Sequence, residues 1–215
     1  LINITEEEIA RDSQELEGTI IIGGGELKTV DYFCEKMAEF QKLYPKVFFN
    51  FNTTTSDIIK DQMDKGLLDI GILLESIEID RYDYFRLPVT ENWCVLIHPD
   101  SNLSKKNFIK PSDLLNENII LPRRSNIKNE LSSWFGKDIT KLNIVATHNL
   151  NSNTAVMVSK NVGTALTIET ELINSFYGIK VLKLKPELTA RTVVAWKKNI
   201  PMNSATTRFI EFLRE

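Results

Sequence analysis

From residue 19 onward the chain alternates short β-branched runs with amphipathic segments, and this alternation constrains its fold more than any other feature. Strands are predicted at 19–23, 47–52, 69–73, 93–98, 118–121, 143–147, 163–167, 179–184 and 191–197. Between the first two, Val30, Phe33, Met37, Phe40 and Tyr44 recur at three- and four-residue steps, while Asp31, Glu35, Glu39 and Lys42 take the opposite side. That spacing predicts a helix over 26–43, ended by Pro45. A second helix is predicted behind "TTTSD", with Ser56 as N-cap, Ile58, Ile59 and Met63 facing inward, and Gly66 as the stop. Further helices follow Ser125, Asn151 and Asn203. Such an order belongs to a mostly parallel sheet with crossover helices, so the fold class is α/β.

A chain of 215 residues, 42% hydrophobic and 26% charged, has the mass for one large or two small globular domains. Its net charge of −3 gives no general attraction for a polyanion, so any DNA contact is expected to come from elsewhere. Cys34 and Cys94 lie far apart beside Phe33, Trp93 and Val95, and are expected to be two buried free thiols in a reducing, cytoplasmic setting. No apolar run reaches the roughly 18 residues of a membrane span, and residues 1–17 are charged where a signal peptide is apolar. A capping box from Thr5 to Glu8 and a narrow stripe of Ile2, Ile9 and Leu16 make that stretch read as the tail of a linker helix, broken from the body at Gly18. No Pro/Gly/Ser tether divides the rest, so any lobes must be joined by extended crossings, for which "LPVTENW" (87–93) and "ARTVVAWKK" (190–198) are suited.

Three glycines, Gly23 to Gly25, end the first predicted strand. They match neither G-x-x-x-x-G-K-[ST] nor the full G-x-G-x-x-G, because Lys28 stands where the third glycine belongs. Two compatible readings remain: close strand-to-helix packing, or a ligand notch against backbone N–H groups at a helix start. "NTTTSD" (52–57) offers more hydroxyls than one helix cap requires. His98 and His148 have no metal-ligand spacing around them, and no G-x-S-x-G elbow is present. Arg123 and Arg124 follow a predicted strand end, where they are either surface cations or anion readers.

The stretches "LEGTIIIGGG", "EFQKLYPKVFFNF", "DKGLLDIGIL", "YFRLPVTENWCVLIHPDSNL", "SKNVGTALTIETEL", "VVAWKK" and "ATTRFIEFLRE", in this order and spacing, resemble the effector-binding domain of LysR-type transcriptional regulators over residues 16–215. The resemblance implies a type 2 periplasmic-binding-protein-like fold: two Rossmann-like lobes joined by two crossover strands. Residues 1–17 would end the linker helix, 18–90 and 196–215 would form lobe I, and 91–195 lobe II. It also implies a homodimer or homotetramer that touches DNA only through an N-terminal winged helix-turn-helix domain absent from this chain. Neither cofactor, metal, catalytic residue nor membrane contact is implied. A small-molecule effector between the lobes would meet Gly25, Glu26, Leu27, Thr54, Thr55, Ser56, Leu73, Leu74, Ile97, His98, Arg123, Arg124, Ser125, Leu150, Asn151 and Ser152. Its occupancy would shift lobe closure and thereby the geometry presented to DNA. The alternative on the same scaffold is a solute-binding protein of a transport system; an enzyme would need converging catalytic groups that no spacing reveals.

One departure from the family pattern stands out, because the usual serine or threonine after the first strand is Gly25, followed by Glu26. An acid there would repel a carboxylate effector. The expected ligand is therefore either larger, filling the glycine notch, or one that aims an amino group or other donor at Glu26.

Overall fold

The computed structural model describes residues 16–75, 80–123, 127–136, 139 and 142–215. The linker-helix assignment therefore falls almost wholly outside the described residues. Among the described residues there are ten strands: β1 (Glu17–Gly24), β2 (Lys46–Thr53), β3 (Ile70–Leu74), β4 (Tyr82–Ile97), β5 (Phe108–Ile109), β6 (Ile119–Pro122), β7 (Ile144–His148), β8 (Thr164–Ile168), β9 (Lys180–Leu184) and β10 (Thr189–Lys197). The helices are α1 (Thr29–Leu43), α2 (Ser56–Asp64), α3 (Ile127–Phe135), α4 (Asn151–Ser159), α5 (Glu171–Asn174) and α6 (Ser204–Phe212). The fold is mixed α/β, and the chain forms two compact units. The first holds residues up to Gly25, Thr29–Val89 and Arg191–Glu215; the second holds Glu26–Lys28 and Thr90–Ala190.

In the first unit β1 runs parallel to both β2 and β3, and β10 lies antiparallel on β3. Alternation along β1 sends Ile20 and Ile22 to full burial, whereas Ile21 packs against the opposite cluster of Ile59, Met63, Leu68, Leu73 and Tyr82. Phe33 and Phe40 of α1 meet Phe209 of α6 edge-on, with centroids 5.6 and 4.9 Å apart. The glycines make this packing possible. A Cβ on Gly23 would sit 2.5 Å from Leu68 Cδ1, one on Gly24 2.7 Å from Phe51 Cζ, and one on Gly71 2.8 Å from Ile59 Cγ2. Close strand-to-helix approach is thus the use of Gly23, and an aromatic ring fills the space at Gly24.

Cys34 corrects an expectation: it is exposed, while Cys94 is buried. On a helix the next residue is turned by about 100°, so the burial of Phe33 places its neighbour toward solvent. The first helix also begins at Thr29 rather than Glu26, because residues 26–28 join the second unit.

In the second unit β4 is flanked by antiparallel β8 and β9, β6 lies parallel between β8 and β7, and the two-residue β5 pairs with β9. Cys94, Leu96, Ile120, Val158, Ala165 and Ile173 form its buried cluster. Strand β4 starts at Tyr82, well before the expected Trp93, and belongs to the first unit up to Val89 and to the second from Thr90. Strand β10 changes unit between Ala190 and Arg191.

Candidate functional site

The parallel register of the first unit brings the carboxyl ends of β1, β2 and β3 to one edge, with Gly24 opposite both Thr53 and Ile72. The chain then leaves β2 through Thr54, whose N–H donates to the Gly24 carbonyl at 2.9 Å. Gly25, Thr54, Thr55, Ser56 and Leu74 gather there as a consequence. Thr55, not Ser56, is the N-cap of α2, and its hydroxyl makes no capping hydrogen bond. The orphan N–H groups of that helix start receive nothing from their own cap residue. Leu73 is not part of this edge, since its side chain lies in the core against α2.

In the second unit the carboxyl ends of β6, β7 and β8 likewise meet, and Arg123 N–H donates to the His148 carbonyl at 2.8 Å. Arg123 is exposed; Arg124 and Ser125 lie outside the described residues. Asn151 opens α4 behind Leu150 and is only 4% exposed. Its Nδ2 donates to the Ile168 carbonyl at 3.2 Å, and its Oδ1 accepts from the Thr167 hydroxyl. His148 Nε2 lies 3.1 Å from the Leu166 carbonyl. Burial lowers the His148 pKa below the usual histidine value, opposed by the Leu166 carbonyl and the charge of Glu26.

Residues 26–28 complete this end of the unit. One carboxylate oxygen of Glu26 accepts from the backbone N–H groups of Asn151 and of Ser152, the latter at 3.3 Å. Lys28 N–H donates to Oε2 of the fully buried Glu91 at 2.9 Å, with the half-buried Leu27 between these two anchors. Glu26, Leu150, Asn151, Ser152 and Arg123 therefore share one end of the sheet.

Ile97 and His98 do not join them. Because β4 is antiparallel to β8 with Leu96 opposite Ala165, Ile97 falls at the amino end of β8, roughly 13 Å along the strand from Ile168. His98 instead lines a cavity of about 240 Å³ with Ser101, Glu117, Asn118, Asn161 and Thr164. The predicted strand 93–98 puts His98 at a strand end, and only the pairing with β8 gives the end of the sheet on which it lies. Thr167 carries a signal in the sequence as a polar residue within a buried run, whereas Glu91, between exposed Thr90 and half-buried Asn92, carries none.

These groups offer hydrogen-bond donors, acceptors and helix starts. The Cys94 thiol is pushed up strongly by burial and stays inert. Among the described residues no group of three His, Cys, Asp or Glu could hold a metal ion, and no helix is long and apolar enough to cross a membrane.

The family model for the LysR substrate binding domain matches residues 13–215. Among solved structures, the chain is similar to the effector-binding domain of QuiR in complex with shikimate, at 18% identity and a TM-score of 0.81, covering 92% of this chain and 96% of that one. The CcmR regulatory domain of Synechocystis in complex with 2-PG has 18% identity and a TM-score of 0.73, with 92% and 96% covered. The reduced OxyR regulatory domain of Pseudomonas aeruginosa has 16% identity and a TM-score of 0.72, with 92% and 95% covered. At such identities the likeness is one of fold. No curated protein sequence is significantly similar to the chain.

Proposed function

We propose, for a chain that belongs to the LysR substrate binding domain family and so serves effector sensing in a LysR-type regulator, that a small metabolite is held at the carboxyl ends of the parallel strands and binds without being transformed. The observation that carries this reading is the pair of helix starts at those ends, α2 behind Thr55 and α4 behind Leu150, each surrounded by half-buried or buried polar groups. Strand ends of this kind are where open α/β sheets take their ligands. The first-unit contacts are Gly25, Thr54, Thr55, Ser56 and Leu74; those of the second are Glu26, Leu27, Arg123, Leu150, Asn151 and Ser152. Binding favours one arrangement of the two lobes and passes that preference to a winged helix-turn-helix domain on the same polypeptide. The working form is a cytoplasmic homodimer or homotetramer. The family match favours sensing over solute delivery.

The test is a thermal-shift screen of amino acids, organic acids and aromatic compounds. A ligand that binds only the native chain raises Tm with concentration. That rise should shrink in Thr55→Val and in Asn151→Ala, and the ligand should be recovered chemically unchanged. A ligand whose effect neither substitution alters would place the site elsewhere.

A further inference from the structure

Helix α4 begins in an unusual way. Its N-cap residue is Leu150, which has no side-chain acceptor, yet Asn151 and Ser152 at its first turn carry N–H groups that need one. The acceptor comes from 125 positions earlier in the chain: a carboxylate oxygen of Glu26 takes both. A carboxylate is what a helix start holds best, through its N–H groups and its dipole. The place where an acidic small molecule would bind this helix is therefore already filled by the chain's own anion.

Two of the three glycines that precede Glu26 leave no room for a ligand. Leu68 and Ile59 stand where a Cβ on Gly23 would point, and Phe51 stands over Gly24. We infer that Glu26 is a built-in anion for the start of α4 and sets the effector class: the compound presents a hydrogen-bond donor or a positive group to Glu26, not a carboxylate. This rests on the site proposed above. A carboxylate brought to the same place would have to displace Glu26 and would be repelled while it stayed.

The direct test uses acetate as the probe and needs no knowledge of the effector. Glu26→Ala removes the carboxylate and should lower Tm by about 2–4 °C, the scale of a lost helix cap in a chain of this size. Sodium acetate should then restore at least half of that loss in a saturable way that sodium chloride does not reproduce, while leaving the wild type unmoved. Acetate acting equally on both proteins, or on neither, would overturn the built-in anion. If Glu26→Ala does not fold, Glu26→Gly and acetate during refolding read the same rescue as recovered soluble protein.

The effector class is read with matched pairs differing only in one group: benzoate against benzamidine, and acetate against acetamide. The wild type should respond only to the amidine or amide members, and Glu26→Gln should lose at least tenfold of that affinity. A wild-type response to the carboxylates that Glu26→Gln leaves unchanged overturns the assignment. Responses lost in Thr55→Val but intact in Glu26→Gln would sink the role of Glu26 and keep the site; responses lost in neither would sink the site itself.

Discussion

The two helix starts solve the same problem differently. Helix α2 has a polar N-cap, Thr55, whose hydroxyl is not used for capping, whereas α4 has an apolar one, Leu150, and borrows a carboxylate from Glu26. Around them the two strand ends also differ. Next to its strand ends the first unit packs apolar side chains closely against Gly23 and Gly24, and further back along β3 against Gly71, while the second unit has a buried polar set of His148, Asn151 and Thr167. One end is thus kept rigid by shape and the other by hydrogen bonds, and substitutions should separate the two.

The largest effect is expected from Gly71→Val. The new side chain would enter the space of Ile59 and Met63, whose atoms lie 2.8 and 2.9 Å from the Cβ position, and overpacking of that kind costs on the order of 3 kcal/mol. A urea midpoint lowered by less than about 0.5 kcal/mol equivalent would show that α2 can yield. Next comes Asn151→Ala, which leaves the Thr167 hydroxyl and the Ile168 carbonyl without their partner at a cost of about 2 kcal/mol. Thr167→Val should recover part of that loss in the double variant, because one of the stranded groups is then gone.

A smaller effect distinguishes the polar end by pH. Since the folded His148 pKa is lowered, the unfolded chain takes up the proton first on acidification. The stability associated with neutral His148 is complete above about 6.5, the ordinary histidine value, and is lost as pH falls from there toward the folded pKa. The loss is at most about 1.4 kcal/mol per pH unit. Urea midpoints between pH 7.5 and 5.5 should slope less in His148→Gln than in the wild type; equal slopes would remove His148 as the cause. The smallest effect is Thr55→Val, expected to change stability by less than about 0.5 kcal/mol because no cap is lost, while still weakening effector binding.

Much of this architecture could be read from the sequence, and the reason is periodicity. Residues such as Ile20 and Ile22, or Phe33 and Phe40, announce strand and helix faces by their spacing alone, and eight of the nine predicted strands lie close to their observed positions, β4 alone starting eleven residues early. What spacing cannot give is direction. The run ending in Ile97 and His98 looks like a site strand, but only its antiparallel pairing with β8 reveals that it ends on the wrong side. The same holds for Cys34, where apolar neighbours in sequence are not neighbours around a helix. Glu26 shows the opposite case. Its oddness was visible against the family pattern, but its partner, more than a hundred residues away, was not.

The path of the chain through its two units has a consequence for its synthesis. The first unit is interrupted by the second and draws most of β10 and all of α6, with Phe209 in its aromatic cluster, from Arg191–Glu215. Its apolar face stays open until Arg191–Glu215 have been made, whereas every segment of the second unit has been synthesised once Ala190 is joined. Vectorial translation therefore completes the inserted unit first, and the unit that flanks it waits for residues 191–215 to close it.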